Sequence, residues 1–356
     1  MLISEPAPMI PSIWCTQPYK TIYIAFVLLI KTPVLLFFSL RYCFQAFRRL
    51  SNLPFRISLF VELANERLAR VPPGDERSYK GPLAADASVK PATVGGLWYL
   101  SPPKPLEDLR NEKVVVHFPG GAFVIVLGSD FNGWMLCRFV MQDFKATRLF
   151  LAQYRVAEDH SSRFPTALQD LFTFYNYIVS LGYSPQNIIL SGDSAAGNLT
   201  IGLVRYLEQQ PVLAPPMGAM LWSPWVHVTN TAGEDYRKQA NIDADILVPE
   251  MLQWGAEAYM PEEGPSSKVV AYISPLHHPF KKTPVPFFTQ VRGNEGLYES
   301  TQAFAQEISK VKENRVKLHV TDLAPHNSIY SHLATGLTSE MQKAFGDARE
   351  CFFGET

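Results

Sequence analysis

Short apolar runs alternate with longer stretches of helical periodicity over most of the chain. The runs fall at 95–100, 114–118, 149–154, 187–190, 219–222, 287–291 and 316–320. Unbroken ones such as VVVHF (114–118) and NIIL (187–190) suit strands buried on both faces, the condition of a parallel sheet with helices on each side. Between them, 167–181, 199–209 and 300–313 read as helices. This alternation predicts an α/β fold with a mostly parallel central sheet flanked by helices. The rhythm breaks at 230–270, a long, partly polar, helix-compatible insertion. An insertion after a strand's carboxyl end is where a cap over a bound molecule would sit. The chain shows no internal repeat or low-complexity tract.

A different pattern precedes this body. Residues 22–40, IYIAFVLLIKTPVLLFFSL, are almost continuously apolar and about the length needed to cross a hydrocarbon core. Lys31 and Pro33 interrupt the run near its middle, which is costly for Lys and kinking for Pro. Three readings stay open: a kinked signal-anchor helix flanked by Arg41, Arg48 and Arg49, a segment lying in the membrane surface, or the apolar underside of a helical lid. A cleavable signal peptide fits less well, because the run starts late and no small-residue cleavage site follows. Membrane contact through residues 21–49 is favoured over a purely soluble lid, and with it a membrane-associated chain, a single-pass span being one of its open forms. Residues 71–93, rich in Pro, Gly, Ala and Ser, read as a connector. The expected organisation is an apolar, basic arm at 1–75 and an α/β domain at 76–356.

Charge sharpens this division. Residues 1–60 hold six basic side chains and one acid, a net of +5, so the remaining 296 of the 356 residues carry −6 within an overall −1. A basic, apolar head suits a membrane surface, and a mildly acidic body argues against nucleic acid as its partner. With 47% apolar and 18% charged residues the chain is neither disordered nor collagen-like and has ample material for a core. Cys15, Cys43, Cys137 and Cys351 lie far apart without metal-like spacing, so no disulfide framework or metal site is expected.

The stretch NIILSGDSAAGN (187–198) carries the most chemistry. An apolar strand runs into Gly192-Asp193-Ser194-Ala195-Ala196-Gly197, followed by a helical segment. A serine on a tight strand-to-helix turn is pushed toward a pocket and faces the helix N-terminus. Upstream, the strand 114–118 runs into Pro119-Gly120-Gly121-Ala122-Phe123. Such a loop leaves backbone N–H groups free for a developing oxyanion. Gly120, Gly121, Ala122 and Ala195 are the residues expected around it, with Gly121, Ala122 and Ala195 as donors. The sequon at Asn198 falls on the same turn and is expected to be buried.

These motifs together resemble the hormone-sensitive-lipase-like branch of the α/β-hydrolases, especially its fungal members, over roughly residues 95–335. PGGAF (119–123) is similar to that family's HGGGF loop, with Pro119 for its His and Ala122 for its last Gly. YRVAEDHSSRFPTALQD (154–170) resembles its Y-R-L-A-P-E…F-P-A-A…D signature, and GDSAAGN (192–198) its GDSAGGN elbow, with Ala196 replacing one Gly. The segments at 222–225 and 272–276 fall in the family's order. The resemblance implies an α/β-hydrolase fold with a helical cap.

Acyl transfer by serine needs a base and a carboxylate to orient it, in the chain order Ser, acid, His for this fold. The resemblance places the family's acid on Glu295, ahead of Glu299, in the segment after 287–291. His326, in the loop after 316–320, matches the catalytic His in position and order. His117 and His319 lie within strands and read as packing residues. His160 and His227 fall in loops that could border a pocket, and His277–His278 reads as a solvated turn.

The function expected is hydrolysis of a hydrophobic carboxylic ester by Ser194, His326 and Glu295, without metal or organic cofactor. Two alternatives stay open. One is a non-hydrolytic reaction at the same site, such as cyclisation, dehydration or acyl transfer in secondary metabolism. The other is a ligand-binding protein on the same fold, favoured by the departures at Pro119, Ala122 and Ala196.

Overall fold

The computed structural model describes residues 66–354 apart from 86–88, 241, 244, 323, 325 and 327. The chain divides into two units after residue 66, and Arg67–Thr356 forms the second. The central element of that unit is an eight-stranded sheet. Its strands are β1 (Leu68–Val71), β2 (Val94–Tyr99), β3 (Val114–Phe118), β4 (Arg148–Gln153), β5 (Ile188–Asp193), β6 (Gly218–Trp222), β7 (Phe287–Arg292) and β8 (Val316–Thr321). They lie in the order β1-β2-β4-β3-β5-β6-β7-β8. The first two pairings, β1 with β2 and β2 with β4, are antiparallel, and every later pairing is parallel.

The unbroken apolar runs occupy the middle of this order. Every residue of β3, β5, β6 and β7 is buried, whereas the edge strands β1 and β8 include exposed and partly exposed positions. Successive side chains serve two cores: Val114, Val116 and Phe118 face one, and Val115 faces the other. Helices α2 (Thr166–Ser180), α3 (Ala195–Gln209) and α7 (Tyr298–Ser309) feed the first core through Leu168, Phe172, Leu199 and Phe304. Helices α1 (Asp130–Gln142), α8 (Ser328–Thr335) and α9 (Thr338–Phe353) feed the second through Phe139, Ile329 and Phe345. Phe139 and Phe345 stack across that core with centroids 5.2 Å apart.

Between β6 and β7 the chain inserts α4 (Ala232–Arg237), α5 (Pro249–Tyr259) and α6 (Val270–Ile273). Strand β1 lies within the residues read as an arm; its short LARV sequence has too little alternation to announce a strand.

The expectation of a membrane-associated, single-pass chain is corrected. Among the described residues no helix is long and apolar enough to cross a membrane. The longest of those named, α9, has 16 residues, or about 24 Å at 1.5 Å per residue, against a hydrocarbon core of about 30 Å. Residues 22–40 and the wider stretch 21–49, on which the expectation rested, lie outside the described residues, as do Cys15 and Cys43.

Candidate active site

The buried strand β5 ends at Asp193, and the chain turns at once into α3, with Ser194 between them. Ser194 has φ 53° and ψ −121°, a conformation an L-residue adopts only under constraint. Backbone bonds from both sides hold it: its N–H donates to Trp222 O (2.9 Å), and its carbonyl accepts from Trp225 N–H (3.0 Å). The turn needs small neighbours. A Cβ on Gly192 would lie 2.4 Å from Ala196 O, and one on Gly197 would lie 2.8 Å from Pro224 Cβ. Ala196, where the family resemblance has glycine, is wholly buried in the core and accommodates its methyl. Asn198 is buried as expected, its Nδ2 donating to Trp225 O (2.9 Å) and Ile273 O (2.8 Å).

The loop after β3 packs directly on this elbow. A Cβ at Gly120 would sit 3.0 Å from Ser194 Cβ and 2.5 Å from Asp193 Oδ2. The Gly120 N–H donates to Asp193 Oδ1 at 3.0 Å, so this amide anchors the loop instead of facing an oxyanion. Among the described residues, no group accepts from the Gly121 or Ala122 N–H. Ala195 opens α3, where the leading N–H groups have no intrahelical acceptor. Gly121 has φ +119°, and Ala122 (φ 50°) and Phe123 (φ 66°) continue in the left-handed region. Several contacts hold this costly geometry. Val124 and Ile125 N–H both donate to Gly121 O, Ala157 N–H donates to Phe123 O, and the Phe123 ring stacks on Tyr259 at 3.9 Å. Helix α5 presses on the loop at Gly255, where a Cβ would come within 2.2 Å of Ala122 O.

Glu295 follows β7 and His326 follows β8, so both stand at the same carboxyl edge of the sheet as Ser194. The structure brings this acid and base together: His326 Nδ1 lies 3.0 Å from Glu295 Oε2, and both side chains are buried. With Nδ1–H donating to the carboxylate, Nε2 is the basic nitrogen. Glu299 is in the first turn of α7, exposed, and is not part of this pair. Burial alone would push the His326 imidazole down, but the Glu295 hydrogen bond and charge, with the Asp245 charge, outweigh it and raise it above 6.5.

Three residues without a sequence signal complete the surroundings. Asp245, from the insertion, accepts from the His326 N–H at 3.0 Å. Arg292, wholly buried at the end of β7, donates through Nε to Ser223 Oγ (3.3 Å), and its own N–H donates to Glu295 Oε1 (3.3 Å). Burial lowers its guanidinium to about 10, against the pull of Glu295, Asp245 and Asp193. Tyr330 of α8 reaches back to the elbow, its hydroxyl 3.1 Å from Asp193 Oδ1 and 2.7 Å from His117 Nε2.

The remaining histidines stand apart from this chemistry. His117 also contacts Ser191 Oγ (2.8 Å), and His319 pairs with Asp347 (2.7 Å). His277 pairs with Glu307 (2.8 Å), and the largely exposed His160 with Glu262. No cluster of three or more His, Cys, Asp or Glu suited to a metal occurs among the described residues.

A buried serine elbow, an adjoining glycine loop and an acid–base pair at one sheet edge define an α/β-hydrolase type of site. Residues 115–329 match a family described by its alpha/beta hydrolase fold, more than half of the chain, and the chain belongs to that family. An esterase of Acinetobacter venetianus is 31% identical over 210 residues, covering 58% of this chain and 64% of that protein. Esterase LipU of Mycobacterium tuberculosis is 26% identical over 202 residues, covering 56% of this chain and 65% of its own. The chain thus spans a little under two thirds of the length of these relatives. The crystal structure of an esterase from the bacterial hormone-sensitive lipase family superimposes with a TM-score of 0.60. It is 23% identical and covers 73% of this chain and 82% of its own, a likeness of fold.

Proposed function

We propose that this chain is a serine hydrolase that cleaves a carboxylic ester of a hydrophobic substrate. The observation that carries the reading is the buried 3.0 Å contact from His326 Nδ1 to Glu295 Oε2, at the same sheet edge as the constrained Ser194. Ser194 Oγ attacks the ester carbonyl while His326 Nε2 takes its proton, and Glu295 holds the imidazole and balances the imidazolium. The oxyanion is met by the N–H groups of Gly121, Ala122 and Ala195. Collapse of the tetrahedral intermediate passes the proton from His326 to the departing alcohol and leaves an acyl-serine. Water, deprotonated by the same nitrogen, then releases the acid and restores the serine.

Alanine at 122 is compatible with this role, because only its amide is required and its positive φ is held from several sides. The esterase names of the two relatives support the reaction class. The preference for an apolar substrate rests on the insertion, which exposes Ile246, Val248 and Trp254 on the segment whose helix packs against the oxyanion loop.

A fluorophosphonate probe and a series of p-nitrophenyl esters test the proposal. The wild-type protein is expected to be labelled and to turn over esters, and Ser194→Ala to lose both. Ester turnover surviving in Ser194→Ala would sink the mechanism, and tight binding of esters with no turnover in the wild type would favour a binding protein.

A further inference from the structure

Asp245 lies in the insertion between α4 and α5, is 4% exposed, and has every oxygen lone-pair direction used by a donor. Oδ1 accepts from the N–H groups of His326 (3.0 Å) and Ile246 (2.7 Å). Oδ2 accepts from Tyr236 OH (2.7 Å) and the Gly296 N–H (2.9 Å). Two of these four donors are main-chain groups of the site itself: one belongs to the residue that carries the base, the other to the residue after the acid. Glu295 and His326 hang from different strands, β7 and β8. One carboxylate bonded to both main chains sets their separation, and with it the 3.0 Å contact between Nδ1 and Oε2. A buried acceptor with charge-assisted bonds is also stronger than a neutral one.

We propose that Asp245 is a positioning residue for the chemistry at Ser194, clamping the His326 loop to the Glu295–Gly296 turn. The inference rests on the serine-hydrolase reading. Its charge acts as well as its shape. The titratable and charged groups around Asp245 are Tyr236 from α4, Arg292 from β7, Glu295 from the turn after it, and His326. Two carboxylates therefore stand against one guanidinium, which leaves one negative charge to favour the imidazolium.

The test compares wild type, Asp245→Asn and Tyr236→Phe on p-nitrophenyl acetate. Fluorophosphonate labelling and Ser194→Ala serve as controls for the reaction, and circular dichroism for folding. Asp245→Asn keeps the shape but turns an acceptor oxygen into a donor and removes the charge. Its kcat is expected to fall about tenfold to a hundredfold, the scale of a small misplacement of a catalytic group, with KM changed less than about twofold. The acid limb of kcat/KM should also move to lower pH, a change that a merely structural carboxylate would not produce. Tyr236→Phe, which removes one of the four donors and leaves the charge, should lower kcat by about threefold with the acid limb in place. A folded Asp245→Asn with wild-type kcat and an unmoved acid limb overturns the inference. If that variant does not fold, Tyr236→Phe with unchanged kcat does so. A wild type that is neither labelled nor active removes the hydrolase reading itself, and the inference falls with it.

Discussion

Tyr330 donates a hydrogen bond to Asp193 Oδ1 at 3.1 Å, joining the helix after the His326 loop to the residue before Ser194. Its oxygen in turn accepts from His117 Nε2 at 2.7 Å, and Trp222 Nε1 donates to Ser191 Oγ on the other side of that histidine. In Tyr330→Phe the tie between nucleophile and base is lost. His117 Nε2 is already 3.2 Å from Asp193 Oδ1 and can pair with it directly. The stability cost should therefore be about 1 kcal/mol, read from urea unfolding, while kcat falls about tenfold. Equal loss of kcat and stability in a set of unrelated core variants would remove the special role of this bond.

The pH dependence follows from the imidazole. In the proposed mechanism His326 must be neutral to accept the serine proton, and it is held above 6.5 in the fold. The acid limb of kcat/KM should have its midpoint above pH 6.5. The linked effect on stability has the opposite slope. A group that binds its proton more tightly when folded stabilises fully below pH 6.5, and that contribution is lost as pH rises through the folded value. Paired measurements of rate and unfolding across this window check both signs.

Arg292 opposes the raised affinity of His326 for its proton. Replacing it with Met should move the acid limb further up in pH, the reverse of the direction expected for Asp245→Asn. It also leaves Glu295 and Asp245 buried without their guanidinium, so a loss of about 3 kcal/mol in unfolding free energy is expected. A limb that moves down, or not at all, in a folded Arg292→Met would contradict this account.

Gly255→Ala tests the contact between α5 and the oxyanion loop. The added methyl would meet Ala122 O at 2.2 Å, so helix or loop must shift. A stability loss of about 1–3 kcal/mol is expected, with kcat reduced more than KM is raised. Thermal melts and steady-state kinetics on the same preparation separate the two.

Much of the candidate site was legible because its parts are local. The β5–α3 elbow and the Gly120–Gly121 loop are each written within a few residues, and Glu295 and His326 each follow closely on an apolar strand run. The central strands were legible because burial on both faces keeps most of their positions apolar, even though a few polar side chains such as His117, Ser191 and Gln290 are buried within them. Missed elements have weaker local signatures. Helix α1 contains Gly133, which lowers helical propensity but is needed because a Cβ there would meet the Tyr99 ring at 2.0 Å. The Ser129 cap, its hydroxyl accepting from Asn132 N–H, was the available signal. Asp245 had none. Its partners Gly296, beside Glu295, and His326 are 51 and 81 residues away, so only the fold reveals which of the acids near residue 245 meets them.

The insertion between β6 and β7 touches the proposed oxyanion loop at Ala122 through Gly255 and the proposed base, His326, through Asp245. It is therefore not a detachable module. Grafting a relative's insertion onto this chain to alter substrate choice would also retune turnover and its pH range, unless both contacts travelled with the graft. Selectivity and rate in this protein are expected to change together.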